Sequence, residues 1–89
     1  MTSYRIPTGI AWLENSTDPS EVFVAMLPRG PVQVLQGTAA LIWSAAIDGE
    51  AVTLPERVAA AAELPVDEVR VEVERFISEL MAAGLLSPP

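Results

Sequence analysis

The densest run of side chains able to do chemistry is a set of carboxylates late in the chain. Glu68, Glu72, Glu74 and Glu79 recur at spacings that a helix would bring onto neighbouring turns, an arrangement that paired-carboxylate acid–base chemistry uses. Arg70 and Arg75 are interleaved with them, and in that company the same residues read as the solvated, charged face of a helix. The sequence contains no His and no Cys. The commonest general base and the soft metal ligands are therefore missing, and neither a Ser-His nor a Cys-His nucleophile can be assembled. No segment matches a calcium loop or a phosphate cradle. The expectation is a chain with no catalytic residue, no metal site and no cofactor: a binding protein, not an enzyme.

Two other features bear on binding. At about 100° per residue, Val71 lies nearly opposite the apolar face of that late helix and Met81 sits beside the face, both next to Asp67, Arg70, Glu74 and Ser78. Such a flank is either an ordinary solvated surface or the wall of a groove with an aliphatic floor and a charged rim. The second feature is the short strand Pro31 to Leu35, where a proline at the first position forfeits no interior ladder bond. If it stands at a sheet edge, the main-chain groups of Val32, Gln33, Val34 and Leu35 can pair with an extended peptide, whose alternate side chains would enter a groove beside the helix. The alternative is that Pro31 and the short length merely blunt the edge against aggregation.

The elements that would hold these residues follow from the pattern. Gly37 breaks the strand, and from Thr38 to about Ile47 the residues Ala40, Trp43 and Ile47 share a helical face that Leu41, Ile42 and Ala46 widen, so this helix should be central. Upstream, Ile10 to Glu14 and Glu21 to Leu27 alternate as strands, joined by a turn at Asn15 to Pro19 and followed by another at Pro28-Arg29-Gly30. Asn15-Ser16-Thr17 matches a glycosylation sequon but reads as a polar hairpin turn. Downstream, Thr53-Leu54-Pro55-Glu56 is a capping-box pattern opening a second helix to about Glu63. Leu64-Pro65 divides it from a third, Val66 to about Ala83, with Val66, Val69, Val73, Phe76, Ile77 and Leu80 on its core face and Gly84 as its C′ glycine.

Turns this short make antiparallel neighbours, so three strands precede three helices in an α+β domain with a winged helix-turn-helix look. With 89 residues, 51% hydrophobic and 19% charged, the chain makes one globular domain, read as residues 9–86 between a flexible tail at 1–8 and another at 87–89. The cysteine-free composition suits a reducing cytoplasm, and no segment reads as an export signal or membrane span. A net charge of −7, from 5 basic and 12 acidic residues, makes nucleic acid a poor partner and a basic or neutral peptide a better one.

At Val34-Leu35, Ala39-Ala40, Ile42-Trp43 and Asp48-Gly49, and downstream at Val73, Phe76-Ile77, Leu80 and Gly84-Leu85-Leu86, the chain resembles the PqqD-like family. These are leader-recognition domains of ribosomally made, post-translationally modified peptides, and the likeness spans roughly residues 10–86. Gln36 departs from the asparagine frequent there at the strand end, which bears on how the first helix is capped. The resemblance implies a leader peptide added as a fourth strand against strand three, over the third helix, in contact with Val32, Gln33, Val34, Leu35, Asp67, Arg70, Val71 and Glu74. It implies a stand-alone member similar to those of lasso-peptide pathways, presenting a precursor to a separate cysteine protease and an ATP-dependent cyclase. Pyrroloquinoline-quinone chaperones that serve a radical enzyme are the neighbouring possibility. A winged-helix DNA-binding regulator is the rival from another class, opposed by the acids on its would-be recognition helix.

Overall fold

Alternating β-branched residues separated by tight turns build a meander. A computed structural model describes residues 3–89, apart from the side chain of Pro19; Met1 and Thr2 of the expected tail lie outside the described residues. Strands β1 (Ile10–Asn15), β2 (Asp18–Met26) and β3 (Val32–Gln36) form one antiparallel sheet in the order β1-β2-β3. Asn15 makes the first turn with its own side chain: its Oδ1 accepts from the Thr17 N–H at 3.0 Å and the Thr17 hydroxyl at 2.9 Å. Its amide donates to Glu21 at 2.8 Å, so the sequon residue is used within the hairpin. Just beyond, the Ser20 hydroxyl and N–H both donate to the exposed Asp18 carboxylate, which holds that carboxyl below the usual aspartate range. In the second turn the Gly30 N–H donates to the Met26 carbonyl at 2.6 Å. A Cβ on Gly30 would collide with Met26, so only glycine fits there.

The register sorts the strands into two faces. Val22 and Val24 are fully buried under the helices, opposite Leu35 and Gln33 respectively. Their neighbours form the outer face, where Leu13, Phe23 and Val34 lie in one row across the three strands. Beside that row, Glu21 also accepts from the Gln36 amide at 2.7 Å, tying β3 to β2. The side chain of Gln36 is thus engaged across the sheet, and helix α1 (Thr38–Asp48) begins with no side-chain cap.

α1 is central, as its apolar circumference implies: it packs on β2 and β3 below and on α2 (Leu54–Ala62) and α3 (Val66–Ala82) beside it. Trp43, Ala40, Ile42 and Ala46 are its buried residues. The expected core face of α3 holds, with Val69, Val73, Ile77 and Leu80 buried and Val66 and Phe76 packed against them. At its end Gly84 adopts φ +77°, the Leu85 N–H reaches back to the Leu80 carbonyl at 2.9 Å, and Leu85 and Leu86 fold into the core.

The capping box expected at Thr53 does not form, although the helix starts at the expected residue. A 3-10 turn over Ala51–Thr53 precedes α2, and the Thr53 hydroxyl donates to the Glu50 carbonyl and accepts from Arg57 at 3.0 Å. Arg57 also donates to the carbonyls of Ala45 at 2.5 Å and Glu50 at 2.7 Å, so one guanidinium stitches the end of α1 to the start of α2. Arg57→Met should keep the aliphatic stem and lose these bonds. The expected result is a stability loss of about 1–3 kcal/mol, read from the urea midpoint; an unchanged midpoint would show that water replaces the guanidinium without loss.

Another difference concerns the segments read as tails. Arg5 and Ser87 pair through two backbone hydrogen bonds, of 3.1 Å and 2.8 Å, and Tyr4 and Ile6 lie against the core. Tyr4 and Ile6 are apolar enough to dock, and docking them brings the pairing with it. The architecture is α+β, a three-stranded antiparallel sheet followed by three helices, with the core between sheet and helices.

Candidate functional site

One hydrogen bond fixes which way every amide of β3 points. The Gly37 N–H donates to the Ser20 carbonyl at 2.9 Å, and these two residues continue the β2–β3 register. In an antiparallel ladder, hydrogen-bonded and non-bonded pairs alternate. The main-chain groups of Leu35 and Gln33 therefore face β2, and those of Gln36, Val34 and Val32 face away from it. The Leu27 N–H bond to the Gly9 carbonyl, at 2.6 Å, gives the same alternation on the other side: odd residues of β2 serve β1 and even ones serve β3. Pro31 would be the next residue to donate towards β2, and having no N–H it ends the ladder. No other described strand pairs with β3, so three residues present N–H and C=O groups along an open border.

The four strand residues singled out from the sequence thus divide. Val32 and Val34 carry outward main-chain groups, with side chains 63% and 50% exposed on the outer face. Gln33 points its main chain at β2, and Leu35 is a core residue at 7% exposure whose amide is also directed inward. Gln36, which the alternation of side chains along the strand does not mark, completes the border. Finding it needs the register, and a strand sequence by itself does not carry the phase of its hydrogen bonds.

The helix residues singled out from the sequence all fall on one side of α3. Arg70 pairs with Glu56 of α2 at 3.5 Å, so the side of α3 that carries Asp67, Arg70, Val71 and Glu74 is turned towards α2 and solvent. Val71 is 70% exposed. The opposite flank meets the start of α1: Glu72, Arg75, Phe76 and Glu79 line a cleft with Thr38, Ala39 and Ile42, directly beyond the end of β3. Helical periodicity marks Val71 as an apolar residue off the core face, but it cannot say on which side of α3 the sheet lies. Here Glu56 of α2 stands on the Arg70 side, and the start of α1 stands on the other.

The cleft has a volume of about 90 Å³, with Ala39, Ile42 and Phe76 as its apolar floor and two carboxylates and a guanidinium at its rim. Arg75 sits 4.0 Å from Glu72, a loose and exposed pair that leaves the guanidinium free to turn. Small-molecule sites run from roughly 300 to 1,000 Å³, so this space suits a single aliphatic side chain. No group of three or more metal-ligating side chains gathers among the described residues. An open border with a side-chain-sized hollow beyond it is equipped to hold an extended peptide.

No curated protein and no solved structure matches the chain. A family profile does, and its match to residues 21–86 takes in most of β2, then β3 and all three helices. The profile is that of coenzyme PQQ synthesis protein D, and because it covers well over half of the sequence, the chain belongs to the PqqD family of PqqD-like recognition elements for ribosomally made, modified peptides.

Proposed function

We infer that the chain binds the leader region of a ribosomally made precursor by taking it as a fourth strand along β3. The observation that carries this reading is the open border, with main-chain groups of Val32, Val34 and Gln36 directed outward. Backbone bonds to these residues supply affinity without regard to sequence, and alternate guest side chains turned towards the helices meet the hollow over Ala39, Ile42 and Phe76. The membership of a family with a precursor-binding role supports the same reading. The wall on the helix side is then Glu72, Arg75, Phe76 and Glu79, in place of Asp67, Arg70, Val71 and Glu74.

The expected result of titrating ¹⁵N-labelled protein with a synthetic leader is a set of amide shifts at Val32, Val34 and Gln36, joined by residues from Glu72 to Glu79. Shifts gathered around Asp67, Arg70 and Val71 would return the helix contact to the α2 side. An unshifted β3 would remove the strand-addition mechanism altogether.

The pathway is a finer step. The resemblance to members of lasso-peptide pathways favours a cysteine protease and an ATP-dependent cyclase in the cytoplasm as partners, with the domain itself non-catalytic. A faster cleavage of the precursor by that protease when this chain is added supports the assignment. Acceleration of a radical enzyme instead would make it a pyrroloquinoline-quinone-type chaperone. The winged-helix likeness of α2 and α3 does not favour DNA: Asp67, Glu68, Glu72, Glu74 and Glu79 are all exposed on α3 and would repel phosphates. No described helix is long and apolar enough to cross a membrane.

A further inference from the structure

The sheet has a second open border. The alternation that frees Val32, Val34 and Gln36 on β3 also directs the main-chain groups of Trp12 and Glu14 away from β2, on the far side of the sheet. No other described strand pairs with β1. Ile10, the remaining residue in this phase, already donates its N–H to the Pro7 carbonyl at 3.3 Å, so the free stretch starts at Trp12.

The surroundings of this border differ from those of β3. Beside it runs a groove of about 340 Å³ between β1 and the second half of α1, lined by Trp12, Glu14, Ser44, Ile47 and Asp48. Its two charges are both carboxylates, and among the described residues the one hydrogen bond to the Glu14 carboxylate comes from the Ser44 hydroxyl at a long 3.4 Å. Trp12 stands edge-on to the buried Trp43, with ring centroids 6.2 Å apart and an interplanar angle of 67°, which fixes its ring while leaving it 38% exposed. A fixed indole, an isoleucine and two carboxylates around one groove form a receptor for a side chain with an aliphatic stem and a cationic head.

We propose that the β1 border is a second strand-addition site, which takes an extended segment of a partner protein that carries an arginine or lysine turned towards α1. The segment pairs with the main chain of Trp12 and Glu14. Its cation lies between Glu14 and Asp48, with the stem along Trp12 and Ile47. A second copy of this chain is a poor occupant, because its own β1 would bring another Glu14 to an acidic groove in a molecule of net charge −7. The cleft beyond β3 mixes both signs of charge, so the two borders select different strands, and one sheet can hold two polypeptides at once.

The probe is a pair of blocked pentapeptides, acetyl-Val-Thr-Arg-Thr-Val-amide and the same sequence with Glu in place of Arg, titrated into ¹⁵N-labelled protein. The Arg peptide should move the amides of Trp12 and Glu14 and the indole N–H of Trp12. The Glu peptide should move them at least tenfold more weakly, and Glu14→Gln combined with Asp48→Asn should remove that difference. Both substitutions lie at exposed positions, so the fold is kept. Equal binding of the two peptides at β1, shifts confined to β3, or self-association through β1 in sedimentation would each overturn the proposal.

Discussion

Proline at position 34 should weaken capture of a synthetic leader by roughly tenfold to a hundredfold while the fold stays intact. Val34 lies mid-strand with its N–H turned to the open border, so the substitution removes a donor that no internal partner uses. Its side chain is half exposed on the outer face and its extended backbone suits an edge proline, so little packing is lost. The guest's carbonyl opposite loses its partner. Gln33→Pro is the matched control, because the Gln33 N–H faces Val24 and its loss breaks the ladder within the protein. That variant should lose about 1–3 kcal/mol of stability. Fluorescence anisotropy with a labelled leader, read beside far-ultraviolet circular dichroism, separates the two effects. A Val34→Pro protein that binds like wild type would falsify strand addition at β3.

The second large effect concerns the fold. Trp43 is fully buried at the centre of α1, against the sheet below and the helices beside it. Trp43→Ala should cost about 3–5 kcal/mol, much of the roughly 5–10 kcal/mol that a domain of this size commands. The expected outcome is a melting midpoint lowered by roughly 12–40 °C. Trp43→Phe should be far milder, since the indole Nε1 has no hydrogen-bond partner for the change to orphan. Thermal melts followed by circular dichroism check both. A cooperative, near-native melt for the alanine variant would mean that the core closes over the gap, against the usual stiffness of close-packed interiors.

Much of this architecture is legible in the sequence. The strands show their period of two because only one face of the sheet is covered, and the third helix shows its period of 3.6 because only one stripe is. The turn residues are equally plain: Asn15 needs a side chain that can bond its own backbone, and Gly30 needs none at all. What did not show is where elements stand relative to one another. Gln36 joins the border and Leu35 leaves it because of hydrogen-bond phase, which depends on pairing with β2. Arg70 reaches Glu56 because α2 packs on that side of α3, a fact of tertiary packing that leaves no mark on helical spacing. Thr53 had the residue type for a cap, but Arg57, four residues on, claimed its hydroxyl.

The backbone bonds between Arg5 and Ser87 make the chain enter and leave the body at a single point. Gly84, three residues before Ser87, lies against Met26, which places that point at the Met26 end of the sheet, a strand's length from the hollow past Gln36. An architecture of this kind behaves like a plug-in cartridge. It can be spliced between two segments of a larger polypeptide, anchored to a surface by either terminus, or cut open at Ser16–Thr17 and rejoined, with both borders of the sheet left uncovered.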